Sequence, residues 1–333
     1  MVYALYGALE SGLIYALMAL GVYLSFRVLD FPDLTVDGSF VTGGAVSAVL
    51  IVNGTDPFLA TLIGGGAGFI AGCVTGLLHT KGNINPLLAG ILMMTALYSV
   101  NLRIMGQPTI SLMSETTIFS KIEGLWESLQ IDRFLLAPFE SLGIPDYAPG
   151  TFLVILSMIV FAYVVKKIMD WLLQTEAGIA LRATGDNARM VKSLSANTNS
   201  YIVVGLGISN GLVALSGAVI VQYNSFSDVN VGVGMIIVGL ASVIIGEGLF
   251  GKKKIARITL AVIFGAIIYR VIIALALQVD FFDASDMKLI TAVIVIAALI
   301  FPTWGKQFKE NKKRFQNKRA FRQLEEKGEE ENA

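Results

Sequence analysis

The sequence predicts an all-α protein, a polytopic transmembrane helical bundle of about nine spans. Hydrophobic residues make up 55% of the chain and charged residues only 15%, whereas soluble domains contain about 25% charged residues. The apolar residues are gathered in runs close to the ~20 residues that a helix needs to cross a bilayer. Composition and patterning together exclude an ordinary soluble domain.

The predicted spans are separated mostly by short polar segments. They are 5–26, 36–52, 57–78, 85–105, 150–173, 200–222, 233–250, 256–278 and 286–303. The third and fourth spans have clear beginnings at Asp56-Pro57 and Asn85-Pro86. Each pair offers a side-chain N-cap followed by a proline at the first helical position, where its missing N–H costs nothing.

The second span has two interpretations. Pro32, Gly38, Gly43 and Gly44 lie in or just before it, and such residues can interrupt a helix. A broken or re-entrant second span is therefore the alternative to a continuous one, and it would change the number of spans.

The third span carries glycine at every fourth position, at Gly64, Gly68, Gly72 and Gly76. Residues four apart lie on one stripe of a helix. Small residues let a neighbouring backbone approach closely, which is how helices pack in lipid. The stripe predicts a packing seam in a compact bundle.

Basic residues in short loops predict the orientation, because they favour the cytoplasmic side. Alternating the nine spans places nearly all of them on one side, with an extracytoplasmic N-terminus and a cytoplasmic C-terminus. The basic residues on the predicted cytoplasmic side, apart from the tail, are Arg27, Lys81, Lys166, Lys167, Arg182, Arg189, Lys192, Lys252, Lys253, Lys254 and Arg257.

The sequence predicts a membrane domain over 1–303 and a charged cytoplasmic tail over 304–333. Residues 106–149 form a long extracytoplasmic segment, and residues 174–199 form a polar cytoplasmic loop. Apolar residues at helical spacing predict an amphipathic helix at the membrane interface within the extracytoplasmic segment. They are Ile118, Ile122, Leu125, Trp126 and Leu129.

No catalytic pattern points to an enzyme. One histidine, His79, and one cysteine, Cys73, do not supply a His-rich metal site or a Cys–His pair, and we predict no metal and no cofactor. Residues 246–253 resemble a phosphate-binding loop, but Lys253 replaces the Ser or Thr that would contact magnesium, and a transmembrane span precedes it. The chain also lacks a basic, aromatic-rich stretch outside the tail, so we expect no nucleic acid partner.

Polar residues inside predicted spans are candidates for a translocation path, because such groups usually face a bundle interior or a water-filled route. Glu10 and Glu247 lie toward span ends rather than at mid-span, which weakly disfavours an ion-coupled secondary transporter. That class stays as the alternative function, and a membrane enzyme is a more distant one. The candidate path residues are Asp37, Ser39, Ser209, Asn210, Ser216 and Arg270.

The polar loop over 174–199 contains a short predicted helix. Thr184 or Asp186 could cap it, and Ala188, Val191 and Leu194 would form its apolar stripe. A short helix standing off a membrane bundle has little to bury alone. It suits docking into a groove on a cytoplasmic partner.

The sequence resembles the permeases of ABC importers of the branched-chain amino acid and ribose type. The resemblance is carried by GLIYALMALG at 12–21 with FPDLTVDGSF at 31–40, EAGIALRATGDN at 176–187 continuing to Asn197, and ISNGLVALSGA at 208–218 with the glycine-rich run over 232–251. Many members have Asn-Phe-Ala-His-Gly where this chain has the acidic segment 33–37. That variant is similar to a subgroup of tryptophan/tyrosine-type amino-acid importers.

The resemblance implies the type II ABC importer permease fold, a place in the bacterial inner (plasma) membrane, and several partners. They are a second permease copy in a homodimer or heterodimer, a cytoplasmic ABC ATPase subunit that binds the ATP, and an extracytoplasmic solute-binding protein. The subunit itself would catalyse no covalent chemistry and would form the path for an amino-acid-like solute. The residues that the resemblance implies in coupling to the ATPase are Glu176, Gly178, Arg182, Thr184, Gly185, Asp186, Asn187, Arg189 and Leu194.

Overall fold

The structure is a computed structural model that describes residues 2–128, 132, 150–251, 254–278, 289–294 and 296. It confirms the all-α class. The helices are α1 (Val2–Tyr23), continued by a π-helical turn (Leu24–Val28), α2 (Thr35–Val52), α3 (Pro57–Thr80), α4 (Pro86–Met105), α5 (Ile118–Ser128), α6 (Leu153–Gln174), α7 (Glu176–Ser193), α8 (Thr198–Asn224), α9 (Met235–Phe250) and α10 (Ile255–Ala276).

Six helical stretches among the described residues are long and apolar enough to cross a membrane: α1 with its π-helical turn, α2, α3, α4, α8 and α10. Helix α6 occupies the predicted fifth span but carries Lys166, Lys167 and Asp170. Helix α9 occupies the seventh and has 16 residues. A total of nine spans stays a prediction, because much of 286–303 and all of 304–333 lie outside the described residues.

Helix α2 is continuous, so the break considered for the second span is absent. Its glycines serve close packing: a Cβ atom added at Gly43 would lie 1.9 Å from the Ala214 carbonyl oxygen on α8. The irregular backbone lies before the helix, in the π-helical turn and residues 29–34. There Asp33 is buried, and its Oδ1 accepts a hydrogen bond from the Thr35 backbone N–H at 2.9 Å.

Helices α1 and α8 form the centre of the bundle. Apart from the half-buried Phe26, every residue of α1 and its π-helical turn from Ser11 to Phe26 is buried. Such a helix has no solvent face to keep polar, which explains its nearly unbroken apolar sequence. Helix α8 packs against α1, α2 and α3, and α1 also packs against α10.

The predicted glycine seam of α3 is confirmed. Its partners are α8 and, at one end, α2. A Cβ atom at Gly72 would lie 2.2 Å from the Leu206 carbonyl oxygen, and one at Gly68 would lie 2.6 Å from the Asn210 carbonyl oxygen. Side chains at these positions would collide with backbone atoms, so the two helices could not approach as closely.

One feature that the sequence did not predict is a short antiparallel ribbon. Strand β1 (Thr109–Ser111) pairs with β2 (Phe226–Asp228), placing Ile110 opposite Ser227. It ties the segment after α4 to the end of α8. The predicted amphipathic helix is present as α5, although Leu129 and 133–149 lie outside the described residues.

Candidate functional site

The predicted coupling loop folds into α7, which is kinked at Asn187 (φ −155°, ψ 85°). The Asn187 Oδ1 atom accepts a hydrogen bond from the Met190 backbone N–H at 3.1 Å and so caps the short helix that follows. The prediction of Thr184 or Asp186 as the cap was therefore wrong. The Thr184 hydroxyl instead donates to the Ala180 carbonyl within the preceding turn, at 2.8 Å.

One face of α7 rests on the end of α1. A Cβ atom at Gly185 would lie 2.0 Å from the Val28 carbonyl oxygen in the π-helical turn. A Cβ atom at Gly178 would lie equally close, 2.0 Å, to the Leu172 carbonyl oxygen. Only glycine permits either approach, so the sequence demands that α7 lie directly on the bundle.

The other face of α7 is exposed from Asp186 to Met190. Met190 and Leu194 expose 52% and 71% of their surface, whereas Val191 is buried. The predicted stripe of Ala188, Val191 and Leu194 is thus wrong, because Val191 packs inward and the other two are exposed. We call the exposed residues 186–190 and Leu194 the α7 tip, and its surface is mainly apolar and basic. Because the opposite face of α7 is packed against the bundle, this arrangement suits docking on a partner.

A cavity of about 560 Å³ separates part of α7 from the π-helical turn. Arg27 and Tyr23 line it from the α1 side, and Arg182 and Asp186 line it from α7. The Arg182 side chain also donates a hydrogen bond to the Leu173 carbonyl oxygen at 3.3 Å. The remaining coupling candidates Glu176 and Arg189 are exposed on α7.

Two polar contacts strengthen the same end of the bundle, and neither was predicted from the sequence. Arg27 forms an ion pair of 2.8 Å with Glu247 on α9. On α6, Asp170 accepts hydrogen bonds from Lys166 at 2.5 Å and from Thr259 on α10 at 2.6 Å. Arg27 and Glu247 lie 220 residues apart, so no local pattern predicts their contact. Lys166 and Asp170 lie four residues apart on one helix, a spacing from which their contact could have been predicted.

Residues 246–250, the start of the phosphate-loop-like stretch, are helical and belong to α9. A Cβ atom at Gly246 would lie 2.2 Å from the Ala261 carbonyl oxygen of α10. The glycine therefore serves helix packing. Lys252 and Lys253 lie outside the described residues.

Three of the path candidates lie on α8 and are fully buried. The hydroxyls of Ser209 and Ser216 donate to the carbonyl oxygens of Gly21 and Ile14 on α1, at 2.7 and 2.8 Å. Asn210 donates to the Asp33 carboxylate at 2.6 Å. In this conformation they bind α8 to α1 and to the loop before α2, and a role in the path stays a prediction.

The Asp37 side chain caps the N-terminus of α9. Its two carboxylate oxygens accept hydrogen bonds from the backbone N–H groups of Gly234 and Ile236, at 2.9 and 2.7 Å. A carboxylate satisfies the free N–H groups at a helix N-terminus and complements the helix dipole. Two residues on, Ser39 is fully buried, and its hydroxyl makes no hydrogen bond within the described residues.

Arg270, the remaining path candidate, lies on α10 and is partly buried. Its Nε donates to the Ser11 hydroxyl at 3.1 Å. Its guanidinium carbon lies 4.5 Å from the centre of the Tyr15 ring. The charge therefore faces α1 across the α1–α10 contact and is held there by a hydrogen bond and a cation–π interaction.

Comparison with known proteins agrees with this architecture. Residues 4–301 match the model of the family described as branched-chain amino acid transport system / permease component. The chain is 40% identical over 291 residues to the tyrosine transport system permease protein of Clostridioides difficile, covering 87% of this chain and 88% of that protein. No solved structure matches at a comparable level of significance.

Two other relatives span similar lengths. An uncharacterized protein of Rickettsia prowazekii, RP368, is 33% identical over 296 residues, which cover 88% of this chain and 95% of that one. The galactofuranose transporter permease protein YtfT of Escherichia coli is 24% identical over 289 residues, covering 86% of this chain and 75% of that protein. With a family model that matches nearly the whole chain, these likenesses confirm the resemblance stated from the sequence. The chain therefore belongs to the permease family of branched-chain amino acid transport systems, a family of ABC transporter permeases.

Proposed function

We propose that this chain is the permease subunit of an ABC importer and forms the path for an aromatic amino acid such as tyrosine. ATP hydrolysis on a separate cytoplasmic ATPase drives the transport. A second permease copy completes the path, and a solute-binding protein delivers the solute from outside. The geometry of α7, with an exposed tip and a base packed against the end of α1, carries the coupling to an ATPase. The 40% identity to a tyrosine transport system permease protein supports the class of solute.

The packing of α7 suits the transmission of force. Gly185 lies against the π-helical turn at Val28, so a push on the tip reaches α1 directly. From the turn, the ion pair between Arg27 and Glu247 continues to α9. Closure of the ATPase subunits would thus move α1 and α9 together and open the path alternately to each side.

The orientation in this proposal places α7 in the cytoplasm, the N-terminus outside, and the C-terminus and the tail over 304–333 inside. The basic residues on the loops at the α7 end support it. The resulting topology has α5 and the β1–β2 ribbon on the extracytoplasmic side, where the solute-binding protein docks.

A secondary transporter that works without ATP is the alternative. The buried Asp33 in the irregular loop before α2 is the feature that favours it, since carboxylates inside a membrane bundle often belong to ion or proton pathways. The two functions differ in their energy source. Uptake by the purified chain alone, without an ATPase or ATP, would support the alternative.

The proposal is tested by purifying the tagged chain from native membranes and identifying the proteins that accompany it. We expect an ATPase with Walker motifs, and we expect the complex in liposomes to accumulate radiolabelled tyrosine only with hydrolysable ATP. Met190→Glu on the α7 tip should abolish uptake, because it puts a charge into an apolar docking contact. Met113→Glu makes the same change at an exposed methionine after β1, far from α7 in the proposed topology, and is the matched control that should leave the ATPase bound.

A further inference from the structure

Two oppositely charged side chains lie within neighbouring transmembrane helices. Glu10 is eight residues after the start of α1, and Arg270 is six residues before the end of α10. Helices α1 and α10 are in close contact here. A Cβ atom added at Gly12 on α1 would lie only 2.9 Å from the Ile267 Cα atom on α10. Both charged residues are partly exposed, so the bundle does not enclose either of them completely.

Arg270 is oriented but not neutralised. Ser11 holds its Nε, and the Tyr15 ring, which is stacked on Phe40, covers one face of its guanidinium. Within the described residues it forms no ion pair, and its two terminal nitrogens make no hydrogen bond. The two terminal nitrogens of an arginine are the atoms that bind a carboxylate through two parallel hydrogen bonds.

Glu10 shows the complementary arrangement. Its Oε2 accepts a hydrogen bond from the Tyr223 hydroxyl at 2.7 Å. No cation pairs with Glu10 in the described part of the chain, so it and Arg270 do not neutralise each other. An ionisable group inside a membrane is costly unless it is paired or lines a solvated route. A solute that carries both charges would supply both missing partners.

The geometry points to a binding site for the zwitterion of an α-amino acid within the permease itself. Arg270 receives the carboxylate and Glu10 receives the ammonium group. Tyr223, which is partly exposed, offers aromatic surface beside them. This inference rests on the proposed function and deepens it. It adds a recognition step in the membrane to whatever selection the solute-binding protein makes.

The test is direct binding of radiolabelled tyrosine to the purified permease with its ATPase, in the absence of the binding protein. Tyramine, which lacks the carboxylate, and 3-(4-hydroxyphenyl)propionate, which lacks the amine, are the competitors. In the wild type each should compete at least tenfold more weakly than tyrosine. Arg270→Gln should weaken the binding of tyrosine at least tenfold and leave the binding of tyramine unchanged. Glu10→Gln should weaken the binding of tyrosine and leave the binding of 3-(4-hydroxyphenyl)propionate unchanged.

Arg270→Lys keeps the charge without the paired hydrogen bonds and should lie between the wild type and Arg270→Gln. Arg103→Gln and Glu123→Gln, exposed on α4 and α5, are the matched controls and should bind tyrosine normally. Equal losses for tyrosine and tyramine in Arg270→Gln, or no binding by the wild type, would overturn the inference. Failure of the proposed function is separate, because it is seen as absence of an ATPase or of ATP-dependent uptake.

Discussion

At the scale of single residues, Asp56 has two roles at the beginning of α3. Its Oδ1 accepts a hydrogen bond from the Phe58 backbone N–H at 2.9 Å, as an N-cap does. Its Oδ2 receives the Lys121 ammonium group from α5. This hydrogen bond with Lys121 holds the pKa of the Asp56 carboxyl below its ordinary value of 3.8. One side chain thus both starts a transmembrane helix and holds the interfacial helix α5.

Replacing Asp56 separates these roles. Asp56→Asn keeps an oxygen for the cap and loses the ion pair, whereas Asp56→Ala loses both, so we expect the melting temperature to fall more in the alanine variant. A lowered carboxyl pKa means that the ion pair stabilises the folded protein above pH 3.8 and that this contribution is lost as the pH falls further. Melting curves of the purified protein between pH 7 and pH 3 measure both effects.

The difference in melting temperature between Asp56→Asn and the wild type should therefore shrink in the acidic range. A difference that is the same at pH 7 and pH 3 would contradict the ion-pair role. The sequence predicted the cap, because Asp-Pro before an apolar run is a local signal. It could not predict Lys121, which lies 65 residues further on and contacts Asp56 only through the fold.

At the scale of elements, the glycine seam of α3 shows how far a periodic pattern reaches. A repeat of four predicts that one stripe of the helix meets another backbone, and it does. The pattern does not say which helix that is, since α2, α4 and α8 are all apolar enough to be the partner. Likewise Gly43 and Gly44 suggested a break in α2, whereas tertiary contacts with α8 preserve the helix.

The seam supplies a matched pair of substitutions. Gly72→Ala places a methyl group 2.2 Å from the Leu206 carbonyl oxygen, and the helices must separate. We expect it to cost about 1–3 kcal/mol of stability, as overpacking does. Gly66→Ala on the same helix has no atom within 4 Å of the new Cβ atom, so higher helix propensity should leave stability unchanged or raise it by up to about 1 kcal/mol.

Thermal unfolding of the purified variants measures this difference. Equal stability of Gly72→Ala and Gly66→Ala would show that α3 and α8 do not pack through the glycines. The comparison isolates the contact, because both variants add the same methyl group to the same helix.

At the scale of the whole molecule, the proposed coupling route joins segments that are far apart in the chain. The sequence located the segment over 174–199, since a polar loop among apolar runs is easily recognised. It did not locate the surface under Gly185, because the partner is the Val28 carbonyl oxygen, a backbone atom with no sequence signature. The ion pair of Arg27 and Glu247 spans 220 residues and was equally invisible.

This ion pair makes the route testable. Arg27→Gln removes the ion pair between the π-helical turn and α9. The Glu247 side chain is only 7% exposed, so the loss of its charged partner should cost about 1–3 kcal/mol of stability. We expect ATP hydrolysis to continue while solute uptake per ATP falls severalfold, because α1 would move without α9.

The exchanged pair Arg27→Glu with Glu247→Arg should restore part of the uptake per ATP, since it restores an attraction between the same two elements. Uptake and ATP hydrolysis measured in the same liposomes give the ratio for each variant. A structural role alone would lower ATP hydrolysis and uptake together. The exchanged pair would then restore no more uptake per ATP than Glu247→Arg alone. A selective loss in the single variant and recovery in the exchanged pair would mean that the ion pair carries motion from α7 across the bundle.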